Sequence, residues 1–499
     1  MIPTGVALYT ASQTRALDAL AIEHESLSGY TLMTRAATAA LRLIGERWPD
    51  QAPLHVVCGT GNNGGDGFVL ARLAAAAGLA VRLYQVGDPA RVEGDARRAR
   101  ADALEQGLSL TPLPEQFERG VIVDALLGTG LKGEVRPQQA AAIELINRSQ
   151  GPVVALDIPS GICGDRGRVL GTAVRADVTL TFVGRKRGLY TGAAVDYCGT
   201  VLFDDLGIPS AVYRRVLPLS RQLNLSNLLA GLPASRARST HKGHNGHVLV
   251  IGGAPGLGGA ALLAARAAAR CGAGLVSMAT HPDTVAAANA ACPEIMARTV
   301  RNVHEFAPLL ARASVLVIGP GLGLSPWAEQ MWQAALRRAL PMVIDADALN
   351  LLSERGDRLN SPCILTPHPG EAGRLLGVGA ADVQTDRFDA VARIATRYGA
   401  KVLLKGAGTL VVDDDNAEAI DLCPYGNPGM ATGGMGDVLS GVLGALLAQG
   451  LSASDAARLG VCVHGRSADL AVRRDGERGL LASDLLPWCR RILNGRLDD

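Results

Sequence analysis

The sequence predicts a two-domain α/β protein in which each domain is built on a largely parallel β-sheet covered by helices. The chain has 499 residues, which exceeds the size at which a single hydrophobic core stops growing. Short apolar segments that end in glycine or an acidic residue alternate with Ala- and Leu-rich segments of helical length. Because these short segments are apolar on both faces, they indicate parallel strands buried between layers of helices.

The strand-like segments form two series along the chain. The first series is PLHVVCG, AVRLYQVGD, GVIVDALLG, PVVALDIPSG and ADVTLTFVG, and the second is GHVLVIGG, GLVSMAT, ASVLVIGPG, PMVIDADAL, CILTPH and AKVLLKGAG. Between them, residues 212–246 lose the strand pattern and gather Ser, Pro, Arg and His, as an interdomain stretch does. We therefore predict a first domain over residues 1–220 and a second over residues 221–499.

The composition excludes several classes of protein. The formal net charge is +2 and there are no long basic runs, so nothing indicates binding to nucleic acid or to an acidic membrane. The nine cysteines are scattered and never spaced as CxxC, which favours a reducing cytoplasm and disfavours structural zinc. Arginines interrupt the apolar runs before any could span a bilayer. We expect a cytoplasmic enzyme that acts on small molecules.

The ends of the first-domain strands carry the first candidate site, since open α/β sheets bind ligands at the carboxyl ends of their strands. The segments there are CGTGNNGGDG (58–67), DALLGTGLKGE (124–134) and LDIPSG (156–161). The first contains a GxGxxG spacing, which is a weak signal for a dinucleotide site when it stands alone. Asp66 in the opening turn of the next helix would repel a pyrophosphate, or it merely caps that helix.

Several of these strand-end residues offer oxygen atoms or a charged group. The oxygen donors are Asn62, Asn63, Asp66, Asp124, Asp157 and Ser160, and they suit a hard cation or a polar ligand. Asp157 precedes an Ile-Pro turn that would hold it stiffly, which makes it a candidate acid or base. Lys132 in a glycine-rich loop could meet a phosphate or assist proton transfer, with a solvated surface lysine as the alternative.

The same segments carry a resemblance to a known family. GTGNNGGDGFVLAR, DALLGTGLKGEVRP and ALDIPSGI resemble the NAD(P)HX epimerases, as does SQTRALDALAIEHESLSGYTLMTRA. The resemblance implies a Rossmann-like three-layer α/β/α domain that interconverts the R and S forms of hydrated NADH and NADPH. It departs from the family at Thr34 and Ala37, where the family usually has Glu and Gly, which leaves the role of that helix open.

The epimerase resemblance also implies roles for particular residues. It assigns substrate contacts to Asn62, Asn63, Gly64, Gly65, Asp66, Gly128, Thr129, Gly130, Leu131, Lys132, Gly133, Glu134 and Asp157. It assigns a potassium ion to Asn63, Asp124 and Ser160. Asp157 and Lys132 are then the candidate catalytic residues of the first domain.

The second domain places an acid directly behind a glycine run, in TGGMGDVLSG (432–441). A glycine turn that opens a helix suits an anion, because the first backbone N–H groups are unpaired. With KGAGT earlier in the chain, this pattern resembles the ribokinase-like superfamily, whose glycine turn holds a migrating phosphoryl group while the aspartate deprotonates the accepting hydroxyl. The alternative for Asp437 is a helix-capping acid in a first turn.

Within that superfamily, an ordered set of segments resembles the ADP-dependent NAD(P)HX dehydratases. The segments are HKGHNGHVLVIGGAPGLGGAALL, PMVIDADALN, CILTPHPGEAGRLLG, KVLLKGAGT and NPGMATGGMGDVLSG. The resemblance implies that the adenine nucleotide contacts Lys405, Gly406, Ala407, Gly408, Thr409 and Gly436. It implies substrate contacts at Ala260, Gly323, His368 and Asp437, and Mg²⁺ bound with ADP, although the sequence identifies no protein ligand for that ion.

Together the two resemblances predict a fused enzyme that repairs hydrated nicotinamide cofactors. Fusion has a chemical reason, since a dehydratase specific for one epimer leaves the other behind unless something interconverts them. Two alternatives stay open: a vitamin or sugar kinase with an accessory domain, and a first domain that only binds or scaffolds. The expected partners are small molecules and, as a homo-oligomer, copies of the same chain.

Overall fold

The structure is a computed structural model that describes residues 5–24, 27–232, 236–359 and 361–496. The chain forms two compact units. The first unit is Ala7–Ser220, and the second joins residues 5–6 to residues from Arg221 onward.

Helices and strands alternate through both units. The strands are β1 Gly5–Leu8, β2 Leu54–Cys58, β3 Val81–Gln85, β4 Leu110–Thr111, β5 Val121–Ala125, β6 Val153–Leu156, β7 Val178–Phe182, β8 Thr200–Asp204, β9 Ser220–Leu223, β10 His247–Ile251, β11 Leu275–Thr280, β12 Met296–Thr299, β13 Val315–Ile318, β14 Met342–Ile344, β15 Cys363–Leu365, β16 Lys401–Leu404, β17 Thr409–Asp413 and β18 Asn416–Cys423. The α-helices are α1 Ala11–His24, α2 Gly29–Arg47, α3 Asn62–Ala76, α4 Gly94–Glu105, α5 Pro137–Asn147, α6 Ser210–Tyr213, α7 Leu225–Leu229, α8 Gly258–Arg270, α9 Pro282–Ala291, α10 Val303–Arg312, α11 Pro326–Leu336, α12 Ala346–Arg355, α13 Pro369–Leu376, α14 Ala380–Thr385, α15 Arg387–Tyr398, α16 Met435–Ala448, α17 Ala453–Asp475 and α18 Leu485–Leu493. Short 3-10 helices lie at Pro89–Arg91, Arg187–Tyr190, Gly192–Asp196, Lys242–Asn245, Pro428–Met430 and Ala482–Asp484.

The first unit is built on a parallel sheet. In the part of the chain that the structure describes, its seven strands have the order β4-β3-β2-β5-β6-β7-β8, and each neighbouring pair is parallel. The order reverses direction on either side of β2, which is the doubly wound arrangement of a Rossmann-like fold. Strands β2, β5, β6 and β7 are buried along their whole length, as the apolar segments predicted.

The second unit is built on a larger, mixed sheet. Among the described residues its order is β1-β9-β18-β17-β16-β15-β14-β13-β10-β11-β12. The strands from β12 to β16 pair in parallel, whereas β16, β17 and β18 form an antiparallel meander. Helices α8, α16 and α17 together contribute about half of the buried side chains of the core on one face. Both predicted α/β sheets are therefore present.

The stretch predicted as interdomain is more ordered than its composition indicated. Within residues 212–246, Ser220–Leu223 form β9 and Leu225–Leu229 form α7, and Leu223 and Leu225 are buried in the core of the second unit. Residues 233–235 lie outside the described residues. Strand β1 extends the same sheet, and Gly5 approaches Gln222 so closely that an added Cβ would lie 2.0 Å from its carbonyl oxygen.

Helix α3 owes its position to glycines that let it approach the sheet and the preceding loop. An added Cβ on Gly64 would lie 2.1 Å from the Gly59 carbonyl oxygen, and one on Gly67 would lie 2.7 Å from the Cys58 Sγ atom. Any larger residue would push the helix away from the strand ends that carry the site. None of the described helices combines the length and the apolar character needed to cross a bilayer.

Candidate active sites

A cavity of about 890 Å³ opens at the carboxyl ends of the first unit's strands. It collects the loops that follow β2, β5, β6 and β7, together with residues of α1 and α2. The sequence-predicted residues that line it are Asn62, Asn63, Asp66, Gly128, Thr129, Gly130, Leu131, Lys132, Glu134 and Asp157. The three loops singled out in the sequence therefore meet in one place.

Asp157 is held in an unusual backbone conformation at the end of β6. Its φ is +65°, in the left-handed region that non-glycine residues seldom occupy, so surrounding contacts must hold it there. Its Oδ1 atom accepts hydrogen bonds from the Phe182 N–H at 3.1 Å and from the Thr181 hydroxyl at 3.3 Å. These contacts fix a carboxylate at the wall of the cavity.

The cation that faces Asp157 is Lys186, which the sequence did not indicate. Its side chain is only 1% exposed and forms an ion pair with Asp157. Its Nζ atom also donates to the Phe182 carbonyl oxygen at 2.8 Å and to the Thr181 hydroxyl at 3.1 Å. A buried ammonium with these acceptors is fully paired, so Lys186 is a fixed positive charge in the site.

Asp18 on α1 and Asp66 on α3 are among the further carboxyl groups that line the same cavity. Burial raises the pKa of Asp18 to about 6, Lys186 opposes that rise and Asp157 adds to it. Burial also raises the pKa of Asp66 well above its ordinary value, with Asp157 and Asp18 adding to the effect. Because α3 begins at Asn62, Asp66 lies in the second turn of the helix and not in its opening turn as predicted.

The residues predicted to hold potassium form a buried hydrogen-bonded group. Asp124 and Ser160 are fully buried, and the Ser160 hydroxyl donates to Asp124 Oδ1 at 2.6 Å while the Ser160 N–H donates to Oδ2 at 2.8 Å. Asn63 donates to the Leu127 carbonyl oxygen at 3.2 Å, and its own Oδ1 atom is buried without a partner among the described residues. Burial raises the pKa of Asp124 to about 6, against the hydrogen bonds from Ser160.

Other predicted residues of the first unit differ in exposure. Lys132 and Gly133 are exposed, whereas Gly64 and Gly65 are buried within α3. In α2, Thr34 donates to the Tyr30 carbonyl oxygen at 2.8 Å and Ala37 is fully buried in the core. The cavity is lined from α2 by other residues, namely Gly29, Leu32, Met33 and Ala36.

In the second unit, Lys405 at the end of β16 contacts carboxyl groups. Its Nζ atom lies 2.9 Å from Asp345 Oδ1 and 3.7 Å from Glu371 Oε2. Asp345 follows β14, is 1% exposed and also accepts a hydrogen bond from the Ser440 hydroxyl at 2.8 Å. Burial would raise the pKa of Asp345, but Lys405 and its hydrogen bonds more than offset this and lower it. Asp345 is therefore the ionised partner of Lys405.

Asp437 lies in the first turn of α16, at the glycine turn that the sequence indicated. The turn depends on Gly434, whose φ of +89° is left-handed, and the first intrahelical bond runs from the Val438 N–H to the Gly434 carbonyl oxygen at 3.1 Å. Burial raises the pKa of Asp437 to about 7, Asp345 adds to the rise and Lys405 opposes it. A carboxyl group that titrates near neutrality beside unpaired helix N–H groups is well suited to general base catalysis.

The loop Lys405–Thr409 is held from behind by Arg387. This arginine is 1% exposed, and it donates to the Leu404 carbonyl oxygen at 3.2 Å and to the Lys405 carbonyl oxygen at 3.4 Å. Gly406 has a left-handed φ of +136°, and an added Cβ would lie 2.8 Å from the arginine Nη1 atom. The loop conformation therefore depends on glycine at this position.

Of the other residues predicted to contact the second substrate, His368 and Gly323 lie on loops and Ala260 lies in the first turn of α8. His368 caps α13, since its Nδ1 atom accepts a hydrogen bond from the Gly370 N–H at 3.0 Å, and burial lowers its pKa. The Gly323 N–H donates to Asp347 Oδ2 at 2.8 Å. The loop before Gly323 packs close to α8, because an added Cβ on Gly321 would lie 3.2 Å from the Ala260 Cβ.

Comparison with known proteins identifies the family to which the chain belongs. The family model described as NAD(P)H-hydrate dehydratase matches residues 248–490, and the one described as YjeF-related protein N-terminus matches residues 29–188. The bifunctional NAD(P)H-hydrate repair enzyme of Coxiella burnetii is 48% identical, over 98% of this chain and 99% of that protein. This chain belongs to the family of bifunctional NAD(P)H-hydrate repair enzymes. The family, the enzyme class and the two-part function predicted from the sequence are thereby confirmed.

Further relatives and a solved structure agree with this family. The repair enzyme of Escherichia coli is 41% identical over 95% of this chain and 91% of that protein, and the one from Leishmania major is 38% identical over 95% and 91%. A ribokinase-like superfamily protein from Enterococcus faecalis has a TM-score of 0.52 and 27% identity, and the match covers 56% of this chain and 97% of that one. The predicted fold class, including a ribokinase-like second unit, is confirmed.

Sequence reasoning missed four charged residues of these sites. Asp345 and Glu371 follow strands of the second sheet, so the rule that directed attention to the other strand ends could have found them. Lys186 lies four residues beyond the end of β7, and Asp18 lies within a helix. Neither of these two belongs to a glycine-rich or otherwise distinctive motif, so only the fold brings them to the cavity.

Proposed function

We propose that this protein repairs hydrated nicotinamide cofactors in two steps. The first unit interconverts the R and S forms of NADHX and NADPHX. The second unit dehydrates the S form to NADH or NADPH while ADP is converted to AMP and phosphate. The single observation that carries the proposal is Asp437, whose pKa is raised to about 7 at the start of a glycine-rich helix turn.

In the second unit, the chemistry follows from what stands around Asp437. Its carboxylate takes the proton from the substrate hydroxyl, whose oxygen attacks the terminal phosphorus of ADP as the bond to AMP breaks. The unpaired N–H groups of Met435, Gly436 and Asp437 in the first helix turn stabilise the charge on the transferring phosphoryl group. Phosphate then leaves with the electron pair of its bond to the ring carbon, and loss of a ring proton restores the nicotinamide.

The remaining predicted residues position the two ligands of the second unit. The loop of Lys405, Gly406, Ala407, Gly408 and Thr409, with Gly436, would bind the adenine nucleotide, and Ala260, Gly323 and His368 would contact the substrate. The described residues contain no group of three or more His, Cys, Asp or Glu side chains placed to hold a metal ion. Mg²⁺ would therefore be held mainly by the phosphates of ADP, where it neutralises charge.

In the first unit, Asp157 is the proposed acid or base, and the loops over residues 62–66 and 128–134 bind the substrate. Asn63, Asp124 and Ser160 fit a potassium ion, because the Asn63 Oδ1 atom is buried without a partner among the described residues. Asn63 and Ser160 both donate to the Leu127 carbonyl oxygen, and Ser160 also donates to the buried Asp124. The ion would supply a positive charge that offsets the buried carboxylate. We further propose that the protein works in the cytoplasm as a homo-oligomer.

The test is recovery of reduced cofactor from a mixture of both epimers. With ADP and Mg²⁺, the protein should restore the absorbance of NADH for the whole mixture and release one phosphate per cofactor. Without ADP, it should only bring the two epimers to equilibrium faster than they reach it unaided. A stable phosphorylated product that accumulates with ATP would instead identify a kinase, and failure to accelerate epimerisation would leave the first unit as a binding module.

A further inference from the structure

We infer that Asp18 is a second catalytic residue of the epimerase cavity, which exchanges the substrate's proton with the solvent in partnership with Asp157. The inference rests on the epimerase activity proposed above. It assigns the two carboxyl groups different roles, with Asp157 held in an ion pair with Lys186 as the proton acceptor and Asp18 as the proton donor.

Asp18 lines the cavity at the carboxyl ends of the first unit's strands. It sits in the middle of α1, a helix apart from the three strand-end loops, and it lines the same cavity as Asp157 and Lys186. Its side chain is half-buried, and no hydrogen bond is among the causes that shift its pKa. A carboxyl group that faces a ligand cavity without a donor of its own is available to a ligand.

Several charged and titratable groups interact with the Asp18 carboxyl group. The groups whose charges act on Asp18, or are acted on by it, are Lys186, Asp157, Asp66 and Tyr213. Lys186 is the cation among them, and it is already paired with Asp157. Burial raises the pKa of Asp18 to about 6 and the Asp157 carboxyl group adds to the rise, while Lys186, already paired with Asp157, opposes it.

Asp18 and Asp157 can act together as a proton donor and a proton acceptor. Asp18 donates its proton to the hydroxyl of the ring carbon, and the hydroxyl leaves as water with the electron pair of the C–O bond. The lone pair of the ring nitrogen forms a C=N bond at the same carbon. Water adds to the opposite face, its proton passes to Asp157, and the C=N electrons return to nitrogen. One proton has moved between the carboxyl groups, and solvent restores the starting state.

The test uses the full chain, so that dehydration by the second unit serves as a control for a variant of the first unit. Asp18→Asn should slow interconversion of the epimers by about 100-fold or more, while dehydration of the S form with ADP is unchanged. Glu23→Gln removes an exposed carboxylate from the same helix and should leave both activities as they were. If Asp18→Asn interconverts the epimers as fast as the unmodified chain does, the inference is wrong.

The pH profile separates a catalytic role from a structural one. Epimerisation by the unmodified chain should fall as the pH rises through about 6, because Asp18 then loses its proton. The rates of R-to-S and S-to-R conversion should fall by the same factor, since the equilibrium between the epimers does not depend on pH. Asp18→Glu should keep such a limb at a shifted pH and Asp18→Asn should lose it. An unmoved limb in both variants would overturn the inference, and no epimerisation by the unmodified chain would overturn the proposed function itself.

Discussion

In each unit a lysine lies among carboxyl groups, but only one of the two lysines forms its ion pair with the predicted catalytic aspartate. Lys186 in the first unit pairs with Asp157, the predicted catalytic residue. Lys405 in the second unit pairs with Asp345 and approaches Glu371, while the predicted catalytic Asp437 receives only its more distant charge. The same pair of residue types is thus used in two ways.

The acids with raised pKa values are the ones that do not form the ion pair with the lysine, and burial is the largest cause of the rise in both units. In the second unit Lys405 lowers the pKa of Asp345, and the pKa of Asp437 is raised to about 7. In the first unit Lys186 is bound by Asp157, and the pKa of Asp18 is raised to about 6. A group that titrates near neutral pH can both give and take a proton. In the second unit the proposed proton transfer therefore belongs to the unpaired Asp437 alone, whereas in the first unit it is shared between the unpaired Asp18 and the paired Asp157.

The largest effect is expected on replacing Asp437, the acid of the second unit that does not form an ion pair with Lys405. Asp437→Asn should lower the rate of S-form dehydration by about 1,000-fold, because the substrate hydroxyl then has no base to accept its proton. Steady-state recovery of NADH with ADP measures this rate. Epimerisation by the same variant should be normal, which also shows that the chain is folded.

The matched control for that variant is Asp455→Asn. Asp455 likewise lies in the first turn of a helix, α17, but it is exposed, and its N–H donates a hydrogen bond to the Ser452 hydroxyl. If Asp437 were only a helix-capping acid, the two variants would lose the same small amount of stability and keep full activity. Equal dehydratase activity in the two variants would therefore remove Asp437 from the mechanism.

The next effect compares two lysines of the first unit. Lys186→Met should lower kcat for epimerisation by about 100-fold, because it leaves the Asp157 carboxylate without its buried cation. Lys132→Met should instead raise KM by about 10-fold or less, since Lys132 is an exposed residue at the cavity wall. The reverse ranking would show that the exposed lysine performs the chemistry, as the sequence alone predicted. Dehydration of the S form is the internal control for folding.

The fold was largely predictable, because the strands are short apolar runs whose order follows the parallel α/β rules. What local sequence did not show was pairing over long separations. Ser220–Leu223 is a polar strand that joins the sheet edge, and Gly5–Leu8 extends the same sheet from the far end of the chain. The meander of β16, β17 and β18 is also antiparallel in an otherwise parallel series. These features depend on tertiary partners that periodicity does not contain.

The site residues that lie in glycine-rich motifs could be predicted from the sequence, and the single charged residues outside such motifs could not. Asp437 and the three first-unit loops carry backbone constraints, such as the left-handed Gly434, that leave a recognisable local pattern. Lys186 and Asp18 need no special backbone, because their roles come from burial and from each other's charge. An isolated lysine after a strand or aspartate in a helix has an ordinary surface role far more often.

A smaller effect tests whether Lys405 acts on Asp437 through its charge. Because Lys405 opposes the rise in the pKa of Asp437, Lys405→Gln should move the acid limb of the dehydratase profile from about 7 to higher pH. The rate should fall by about 10-fold at neutral pH and partly recover at higher pH. If Lys405 only binds nucleotide, KM for ADP will rise and the limb will stay where it is. Lys401→Gln is the control, since Lys401 begins the same strand and pairs with Asp414.

The smallest effect concerns stability, and it follows from the same raised pKa. Asp437 has a pKa of about 7 in the folded protein against 3.8 ordinarily, so the folded state gains stability from its protonated form. That stability is fully present below about pH 4 and is lost as the pH rises through 7. Asp437→Asn is neutral at every pH, so its Tm should exceed that of the unmodified chain by a few degrees at pH 8 and by little at pH 5. An identical difference in Tm at both pH values would mean that the folded and unfolded states bind the proton of Asp437 equally over this range. Burial would then not raise the pKa of Asp437, and the property that marks it as the base of the second unit would be absent.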